Sequence, residues 1–286
     1  LSKFAKTFPE RFLDVGIAEQ HAVTMAAGLA LQGFKPVVAV YSTFFQRAYD
    51  QILHDVCLQN APVVLAIDRA GVVGDDGPTH HGVFDIAFLR HIPNLVIMAP
   101  KDENELRHML KTAIEHPGPV ALRYPRASGE GLMLDKKLTC LPIGKAELLK
   151  EGTDATILGV GTTLKLCLAA AEELAKEGIS VAVINPRFIK PLDTDRILFY
   201  AKRTGAVITV EDHVLAGGFG SAVIELFQDN NLQVPVVRIG YSDIFVEQGP
   251  ISRLREDYGI SVRGIVDGVR GALNGKGEGT NRYITS

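Results

Sequence analysis

The sequence predicts an α/β protein made of two doubly wound domains. Short β-branched runs alternate with amphipathic stretches along the whole chain, a pattern typical of parallel sheets with crossover helices. The 286 residues are enough for about two domains, each with its own core. The stretch 126–144 has no sustained period and several turn-forming residues, which is typical of a linker. We therefore expect domains at residues 1–136 and 137–286.

Strands and helices alternate in the first half. Strands are predicted at 12–15, 36–41, 62–67, 95–98 and 120–124. Helices are predicted at 19–31, 45–58 and 103–115. The run 62–67 is almost continuously apolar, as expected of a central strand covered on both faces. Asp102 is a typical N-cap for the helix that follows it.

The second half repeats this alternation. Strands are predicted at 155–160, 181–184, 206–211 and 234–239. Helices are predicted at 164–177, 195–202, 218–228 and 262–273. Ser261 is the expected N-cap of the last helix. The glycine-rich residues 274–279 predict a frayed tail.

The composition excludes several classes of protein. The chain has 30 basic and 33 acidic side chains, so nonspecific nucleic-acid binding is not expected. No apolar run approaches the roughly 18–20 residues that a membrane helix needs. The three cysteines are an odd set without a CxxC pair, which favours free thiols in the bacterial cytoplasm or a plastid stroma over a disulfide framework. The start at Leu1 has neither a Met nor a signal-peptide pattern and suggests a piece of a longer protein.

Four polar clusters follow predicted strands of the first half, at 14–21, 41–47, 68–82 and 123–126. In open α/β sheets the loops at the carboxyl ends of strands face the ligand crevice, so we expect these clusters to share one rim. Arg47, Arg69 and Arg126 follow strand ends closely. Their guanidinium groups are suited to holding a phosphate or carboxylate with two hydrogen bonds.

Each cluster also has a simpler explanation. Glu19 in a first helical turn could only complement the helix dipole, and Phe44 could belong to the core. The three arginines could be surface charges. The acidic and histidine pairs within 75–81 could suggest a metal site, but Gly and Pro in the same loop favour a turn, and the spacing is unlike a zinc site. The glycines of 214–220 lack GxGxxG spacing and favour close packing of a helix on its strand.

Four segments carry a resemblance to a known family: DVGIAEQHAVT at 14–24, YSTFFQRAYD at 41–50, DRAGVVGDDGPTHHG at 68–82 and RYPR at 123–126. Together they resemble the transketolase superfamily of thiamine-diphosphate enzymes. Within it they are similar to the synthases that condense pyruvate with D-glyceraldehyde 3-phosphate, yielding 1-deoxy-D-xylulose 5-phosphate and CO₂. The resemblance spans nearly the whole chain, including 185–193 and 209–220.

The resemblance implies the fold and the partners. The first domain would be a thiamine-diphosphate pyrimidine-binding domain, and the second a transketolase C-terminal domain. The product would serve isoprenoid (terpenoid) and thiamine biosynthesis. The family is homodimeric and uses Mg²⁺ with the cofactor, and no nucleic acid or membrane is implied as a partner.

The resemblance also implies which residues meet the cofactor. Glu19 matches the glutamate that hydrogen-bonds the pyrimidine ring nitrogen. An acid is needed there because protonating that nitrogen favours the imino tautomer, which can take the thiazolium C2 proton. Phe44 matches the aromatic residue that stacks on the pyrimidine, and Tyr41 is assigned to both the cofactor and the substrate.

Further positions match the substrate site. Tyr41, Arg47 and Arg126 match residues that line the acceptor pocket, with the arginines serving the phosphate. Arg123 stands close enough to share or replace the role of Arg126. A second group matches polar residues near the reacting carbons, with catalytic and substrate-binding roles: Arg69, Asp76 and His80. The resemblance implies no role for His81.

One departure from the family pattern limits the expected activity. The family binds the cofactor's diphosphate through Mg²⁺ in an N-terminal domain with a GDG motif, and no GDG occurs in this sequence. We therefore expect no metal site in this chain, and we expect it to need that domain and to be inactive alone. Two other readings remain open: the β subunit of a 2-oxo acid dehydrogenase E1 component, and a non-catalytic α/β assembly module.

Overall fold

The computed structural model describes residues 1–275. Its strands are β1 (Val37–Tyr41), β2 (Val64–Asp68), β3 (Val96–Met98), β4 (Val120–Arg123), β5 (Glu147–Lys150), β6 (Ala155–Gly159), β7 (Val181–Asn185), β8 (Phe188–Lys190), β9 (Val207–Val214) and β10 (Val236–Tyr241). Its helices are α1 (Ser2–Thr7), α2 (Glu19–Leu31), α3 (Ser42–Phe45), α4 (Tyr49–Gln51), α5 (Asp85–Leu89), α6 (Glu103–Glu115), α7 (Leu164–Lys176), α8 (Thr194–Thr204), α9 (Phe219–Asp229), α10 (Ile251–Asp257) and α11 (Val262–Asn274). Short 3₁₀ turns and one π-helix, Ile52–Cys57, link some of these elements.

The strands form two five-stranded sheets, as expected for two doubly wound domains. The first sheet has the order β1-β2-β4-β3-β8, and the second has the order β10-β9-β6-β7-β5. All pairings are parallel except β3 with β8 and β5 with β7, which close one edge of each sheet. The fold class predicted from the alternation of elements is therefore confirmed.

The register of the first sheet brings three strand ends together. Tyr41 at the end of β1 pairs with Asp68 at the end of β2, and Ile67 pairs with Arg123 at the end of β4. The side chains that follow these strands consequently meet at one edge. Strand β2 is buried along almost its whole length, as its continuous apolar run predicts.

The two halves are packed together rather than merely linked. One hydrophobic cluster joins Leu65 and Ile67 of the first half to Leu158, Val160 and Phe219 of the second. Strand β8 also comes from the second half and completes the edge of the first sheet. The first sheet is therefore held in place by the second half of the chain.

The predicted strand at 12–15 is wrong. No strand or helix occurs there; Leu13 is exposed, and the Gly16 amide donates to Asp14 Oδ1 at 2.9 Å. This Asx turn, with Gly16 at a φ of +68°, gives the backbone a partner that competes with a strand ladder. The apolar residues around Asp14, which are Phe12, Leu13 and Val15, form too short a run to outweigh it.

Other elements differ in extent. The helix predicted at 45–58 begins at Ser42 and passes through 3₁₀ and π turns before Leu58. The predicted N-caps Asp102 and Ser261 are confirmed, since their side chains accept from Glu105 N and Gly264 N. The short elements α1, α5, α10, β5 and β8 were not expected. Of the predicted frayed tail at 274–279, Asn274 is the last residue of α11 and Gly275 is its C-cap, and the rest lies outside the described residues.

Across residues 1–275 we find no helix with the length and apolar character needed to span a membrane. Cys57 and Cys167 are buried, and burial raises the pKa of each thiol to about 12. Cys140 is exposed, and all three thiols are free.

Candidate active site

Glu19 begins α2, and its side chain is only 11% exposed. At this position the unpaired N–H groups of the helix favour a negative charge. Oε1 of Glu19 lies 3.4 Å from Nη1 of Arg47. The helix therefore starts at the rim formed by the strand ends, although the segment before it is a loop and not a strand.

An aromatic and cationic stack continues from Arg47 along the rim. The guanidinium carbon of Arg47 lies 5.1 Å from the ring centroid of Phe44. Phe44 stacks on Tyr41 with 5.6 Å between ring centroids, and Arg69 covers Tyr41 at 3.6 Å. These contacts join two sequence segments, 41–47 and 68–82, into one continuous surface, with one guanidinium group beside each ring.

Arg69 has an unusual backbone and an incompletely satisfied side chain. Its φ is +61°, in the left-handed region that a non-glycine residue seldom adopts. Nη1 donates to Asp68 at 2.6 Å, whereas the buried Nε has no partner within residues 1–275. A buried guanidinium nitrogen without an acceptor is costly, so this position is suited to an anionic or carbonyl ligand.

His80 and Asp76 lie on the loop that follows β2. The ring of His80 meets the edge of Phe44 at 5.4 Å between centroids, and its Nδ1 lies 2.9 Å from Thr79 Oγ1. Asp76 Oδ2 accepts from Nη1 of Arg126, which follows β4, at 2.6 Å. Both side chains of that pair are partly exposed, at 39% and 51%, so the pair can exchange its partner for a ligand.

Most of the positions singled out in the sequence therefore share one rim. Contacts link Glu19, Arg47, Phe44, Tyr41, Arg69 and His80 directly. Asp76 and Arg126 join them through the loop 74–82. The arrangement combines an almost buried acid, a half-buried aromatic face and several guanidinium groups.

Arg123 does not belong to this exposed group. It is 6% exposed, and its Nε and Nη2 donate to the buried carboxylate of Asp85 at 2.7 and 3.2 Å. Nη2 also lies 3.4 Å from the carbonyl oxygen of Asp212 in the second half. The guanidinium is thus engaged between the two halves, which leaves Arg126 as the exposed arginine of the RYPR segment.

A buried polar cluster near Arg123 was missed in the sequence. Strand β9 carries Glu211, Asp212 and His213, and all three are buried. Three consecutive ionisable residues at the end of the strand predicted at 206–211 were the available signal. Burial raises the pKa of Glu211 to about 7, although the carboxylate accepts from Phe219 N and Gly220 N.

His213 links β9 to the start of α5. Its Nε2 accepts from the backbone amides of Ile86 and Ala87 at 3.1 and 3.3 Å. Nδ1 must therefore carry the proton, which it donates to the carbonyl oxygen of Val214 at 2.7 Å. Burial lowers the pKa of His213 to about 4, so the neutral ring is the stable form in the fold.

The rim fits an aromatic cofactor with a ring nitrogen to protonate. Glu19 supplies the acid, Phe44 supplies a stacking face, and the unpaired Nε of Arg69 supplies a donor. Within the described residues no group of three or more His, Cys, Asp or Glu side chains could hold a metal ion. The donor set, an acid with an aromatic ring and a guanidinium group, suits the organic ring of a cofactor.

Family models match both halves of the chain. The transketolase pyrimidine-binding domain matches residues 1–130, and the transketolase C-terminal domain matches residues 144–265. A solved structure described as a split gene transketolase, inactive beta4 tetramer, superposes with a TM-score of 0.86 at 36% identity, covering 95% of this chain and 87% of that one. The chain belongs to the transketolase family.

Within this family, the chain is similar to curated proteins described as 1-deoxy-D-xylulose-5-phosphate synthases. One from Geobacter sulfurreducens is 61% identical over 278 residues, and one from Heliobacterium modesticaldum is 61% identical over 265 residues. A synthase from Desulfitobacterium hafniense is 64% identical over 267 residues. These matches cover 97%, 93% and 93% of this chain but only 44%, 41% and 42% of the relatives. The chain thus spans less than half the length of the curated relatives and corresponds to their C-terminal portion.

Proposed function

We propose that this chain supplies the pyrimidine and acceptor half of the active site of a thiamine-diphosphate-dependent synthase. That enzyme condenses pyruvate with D-glyceraldehyde 3-phosphate, giving 1-deoxy-D-xylulose 5-phosphate and CO₂. The observation that carries the proposal is the continuous run of contacts from Glu19 through Arg47 and Phe44 to Tyr41 and Arg69. The names of the curated relatives support the choice of substrates.

Glu19 holds a proton at the pyrimidine ring. Its almost buried carboxylate at the start of α2 hydrogen-bonds the ring nitrogen and stabilises the protonated ring. Phe44 stacks on the ring and sets its plane, with Tyr41 packed behind it at 5.6 Å. When bound, thiamine diphosphate supplies an acidic thiazolium carbon that can add to a carbonyl group and accept the electron pair left by CO₂.

The arginines bind the acceptor. Arg47 and Arg126 are both more than half exposed, and each is paired with one carboxylate, so a dianionic phosphate can compete for their guanidinium groups. Tyr41 lines the same pocket. Because E1 components of 2-oxo acid dehydrogenases act on substrates without a phosphate, these two arginines favour the synthase over that alternative.

A second set of side chains orients the reacting carbonyl groups. Arg69 turns its unpaired buried Nε toward a carboxylate or carbonyl oxygen of the substrate. His80 and Asp76 on the loop 74–82 supply hydrogen bonds and a proton at the new alkoxide. These assignments follow the family's motif residue by residue.

The diphosphate and Mg²⁺ require a partner domain. The expected ligands belong to an N-terminal diphosphate-binding domain of the same enzyme, working as a homodimer. We keep the domain boundary at residues 136–137 and a cytoplasmic location as parts of the same proposal. The bacterial origin of the curated relatives supports that location over a plastid stroma.

The decisive experiment supplies the chain with a diphosphate-binding domain and both substrates. The expected products are CO₂ from pyruvate and 1-deoxy-D-xylulose 5-phosphate, formed only when thiamine diphosphate, Mg²⁺ and D-glyceraldehyde 3-phosphate are all present. Pyruvate oxidation coupled to lipoamide, with no need for the aldehyde, would instead identify an E1 β subunit. Absence of cofactor binding by the assembled protein would identify a non-catalytic module.

A further inference from the structure

The loop that carries Asp76 and His80 rests on the second half of the chain. We call residues 74–82 the substrate loop and residues 246–250 the support segment. The amide of Gly249 lies 3.4 Å from the carbonyl oxygen of Gly74, and a Cβ at Gly77 would be 3.1 Å from Cβ of Gln248. The two segments are therefore in close contact along several residues.

His81 is the main polar link between them. The residue is 2% exposed, and both of its ring nitrogens have partners. The backbone amide of Val73 can only donate, so His81 Nδ1 is the acceptor at 3.0 Å. In the neutral ring Nε2 must then carry the proton, and it donates to the carbonyl oxygen of Glu247 at 3.0 Å.

The support segment is itself anchored in the second half. Val246 is 2% exposed and belongs to the core cluster built on the second sheet. The hydroxyl of Tyr258 donates to Oε2 of Glu247 at 2.7 Å. The carbonyl oxygen that accepts the hydrogen bond from His81 is thus part of a fixed structure, and this bond can transmit the position of the support segment to the loop.

The base of the substrate loop is closed by a pair of backbone hydrogen bonds. Gly71 and Gly82 exchange N–H···O bonds of 2.7 and 2.8 Å. Neither position has room for a side chain, since an added Cβ would lie 2.3 Å from Asp212 Oδ2 or 2.2 Å from the carbonyl oxygen of Arg69. Between these two points Val72 packs in the core cluster built on the second sheet, and the buried His81 hydrogen-bonds Glu247 of the second half.

We propose that His81 is a positioning residue, which locks the substrate loop onto the support segment so that Asp76 and His80 face the acceptor. The second half of the chain thereby sets the geometry of the acceptor site, although it contributes none of the site side chains named above. The catalytic consequence rests on the proposed function, whereas the structural lock does not.

Two substitutions of His81 by residues with an amide side chain test its two hydrogen bonds separately. His81→Gln places an amide nitrogen near the position of Nε2 and keeps the bond to Glu247. His81→Asn places an amide oxygen near Nδ1 and keeps only the bond to Val73. If the lock depends on the bond to Glu247, hydrogen–deuterium exchange in peptides covering 71–84 becomes about tenfold faster in His81→Asn, while His81→Gln stays near the wild type.

His108→Asn is the matched control. His108 is also buried and also bonded at both ring nitrogens, to Asp135 Oδ2 at 2.9 Å and to the Thr139 amide at 3.0 Å. Its loss should destabilise the protein without opening the substrate loop. The proposed lock is overturned if peptides covering 71–84 exchange equally fast in His81→Asn and His81→Gln. It is also overturned if these peptides exchange as fast in His108→Asn as in His81→Asn.

Kinetics of the assembled enzyme test the positioning. His81→Asn should raise the KM for D-glyceraldehyde 3-phosphate about tenfold, leave the KM for pyruvate within about twofold, and be largely rescued in His81→Gln. If peptides covering 71–84 exchange faster in His81→Asn but the KM for D-glyceraldehyde 3-phosphate does not change, His81 does not position the acceptor site. If the wild-type assembly makes no synthase product, the proposed function fails, and the exchange comparison still decides whether the lock exists.

Discussion

Among single residues, Glu19 is the one whose charge the proposed chemistry uses most directly. Glu19→Gln keeps the shape of the side chain but removes the acid that would protonate the pyrimidine. In the assembled enzyme we expect kcat to fall by about 10²–10⁴, the usual effect of losing a positioned acid–base group. Exchange of the cofactor's C2 proton, followed by NMR, measures the same step directly.

Glu172→Gln provides the control for this change, because Glu172 is an exposed glutamate on α7. It should leave both kcat and C2 exchange at wild-type levels. If Glu19→Gln exchanged the C2 proton as fast as the wild type, the acid would have to lie elsewhere, and Glu19 would only complement the dipole of α2.

Arg47 and Arg126 should discriminate between acceptors with and without a phosphate. Truncation to alanine at either site should cost on the order of 1.5–3 kcal/mol of binding, typical of hydrogen bonds to charged groups. The loss should raise the KM for D-glyceraldehyde 3-phosphate, with the KM for pyruvate little changed. Lysine at either site should restore only part of the affinity, because it lacks the second donor of the guanidinium fork.

A non-phosphorylated aldehyde serves as the internal control for both arginines, since it never makes the phosphate contact. Equal losses with the two aldehydes would show that the arginines act on the shared carbon–carbon bond formation. Arg123 is no longer a substitute for them, because its guanidinium is buried against Asp85. Its removal should instead lower the free energy of unfolding by about 3–5 kcal/mol, by leaving that carboxylate unpaired.

His213 should make the stability of the fold sensitive to acid. Burial lowers its pKa from the ordinary value of 6.5 to about 4. Below pH 6.5 His213 is protonated in the unfolded chain, whereas in the folded chain it stays neutral down to about pH 4. The free energy of unfolding therefore falls as the pH drops from 6.5 to about 4. The loss should reach about 3 kcal/mol near pH 4.

The measurement compares urea unfolding of the wild type and His213→Gln between pH 7 and pH 4. Glutamine keeps an acceptor for the α5 amides but does not titrate. Glu211 acts in the opposite direction, because burial raises its pKa from 4.5 to about 7, and its contribution to stability is lost as the pH rises through that range. Both proteins contain Glu211, so the difference between their free energies of unfolding at each pH reports the contribution of His213. If the two free energies changed in parallel with pH, His213 would not cause the sensitivity to acid.

At the level of elements, two helices were predicted with the bounds that the structure shows. The helix at 19–31 and the helix at 103–115 have the expected bounds. The second has an N-cap, Asp102, whose carboxylate accepts from Glu105 N at 2.7 Å. Such local signals act within a few residues, so they do not depend on the rest of the fold.

Elements whose partners are distant in sequence were missed. Strand β8 has only three residues, yet it pairs with β3, about ninety residues earlier, and follows Arg187 at a φ of +58°. The prediction at 12–15 is wrong for a different reason, since the local Asx turn at Asp14 and Gly16 competes with a strand. For β8, pairing across the sheet rather than local preference decided the outcome.

Substitution by alanine should have opposite effects on stability at two glycines, Gly82 and Gly28, because only Gly28 has room for a Cβ. A Cβ at Gly82 would lie 2.2 Å from the carbonyl oxygen of Arg69 and 2.5 Å from Cβ of Ser42, whereas one at Gly28 on α2 would meet nothing within 4 Å. Gly82→Ala should therefore destabilise the protein by about 1–3 kcal/mol. Gly28→Ala should stabilise it by about 0.5–1 kcal/mol, through helix propensity.

Thermal and urea unfolding of the two variants test this contrast. Gly82→Ala should also displace the substrate loop and lower synthase activity in the assembled enzyme, whereas Gly28→Ala should not. If Gly82→Ala were stable and fully active, the base of the substrate loop would accommodate a side chain. The two short hydrogen bonds between Gly71 and Gly82 would then not hold it closed.

For the whole molecule we predict a folded but inactive chain. Two sheets with a shared core should unfold cooperatively without any other domain. Isothermal titration calorimetry should show weak binding of thiamine diphosphate and Mg²⁺ to the chain alone, because the GDG motif with which the family binds the metal and the diphosphate does not occur in this sequence. Addition of a diphosphate-binding domain should tighten binding by at least tenfold and produce activity.

The same preparation contains its own control, since circular dichroism verifies that the chain is folded before the domain is added. Synthase activity of the chain alone, close to that of the assembled enzyme, would contradict the prediction. If the chain unfolds cooperatively but binds thiamine diphosphate no more tightly after the diphosphate-binding domain is added, the two do not form one cofactor site.

By itself the sequence determined the α/β class, the two halves, most of the central strands and the segments that form the candidate site. These depend on hydrophobic period, caps and local motifs, which act within a few residues. The tertiary structure alone decided that Arg123 is buried between the halves while Arg126 is exposed, and that His81 joins the substrate loop to Glu247. Those outcomes depend on contacts between residues 38 to 166 positions apart, and no local pattern encodes which distant group will lie against a side chain.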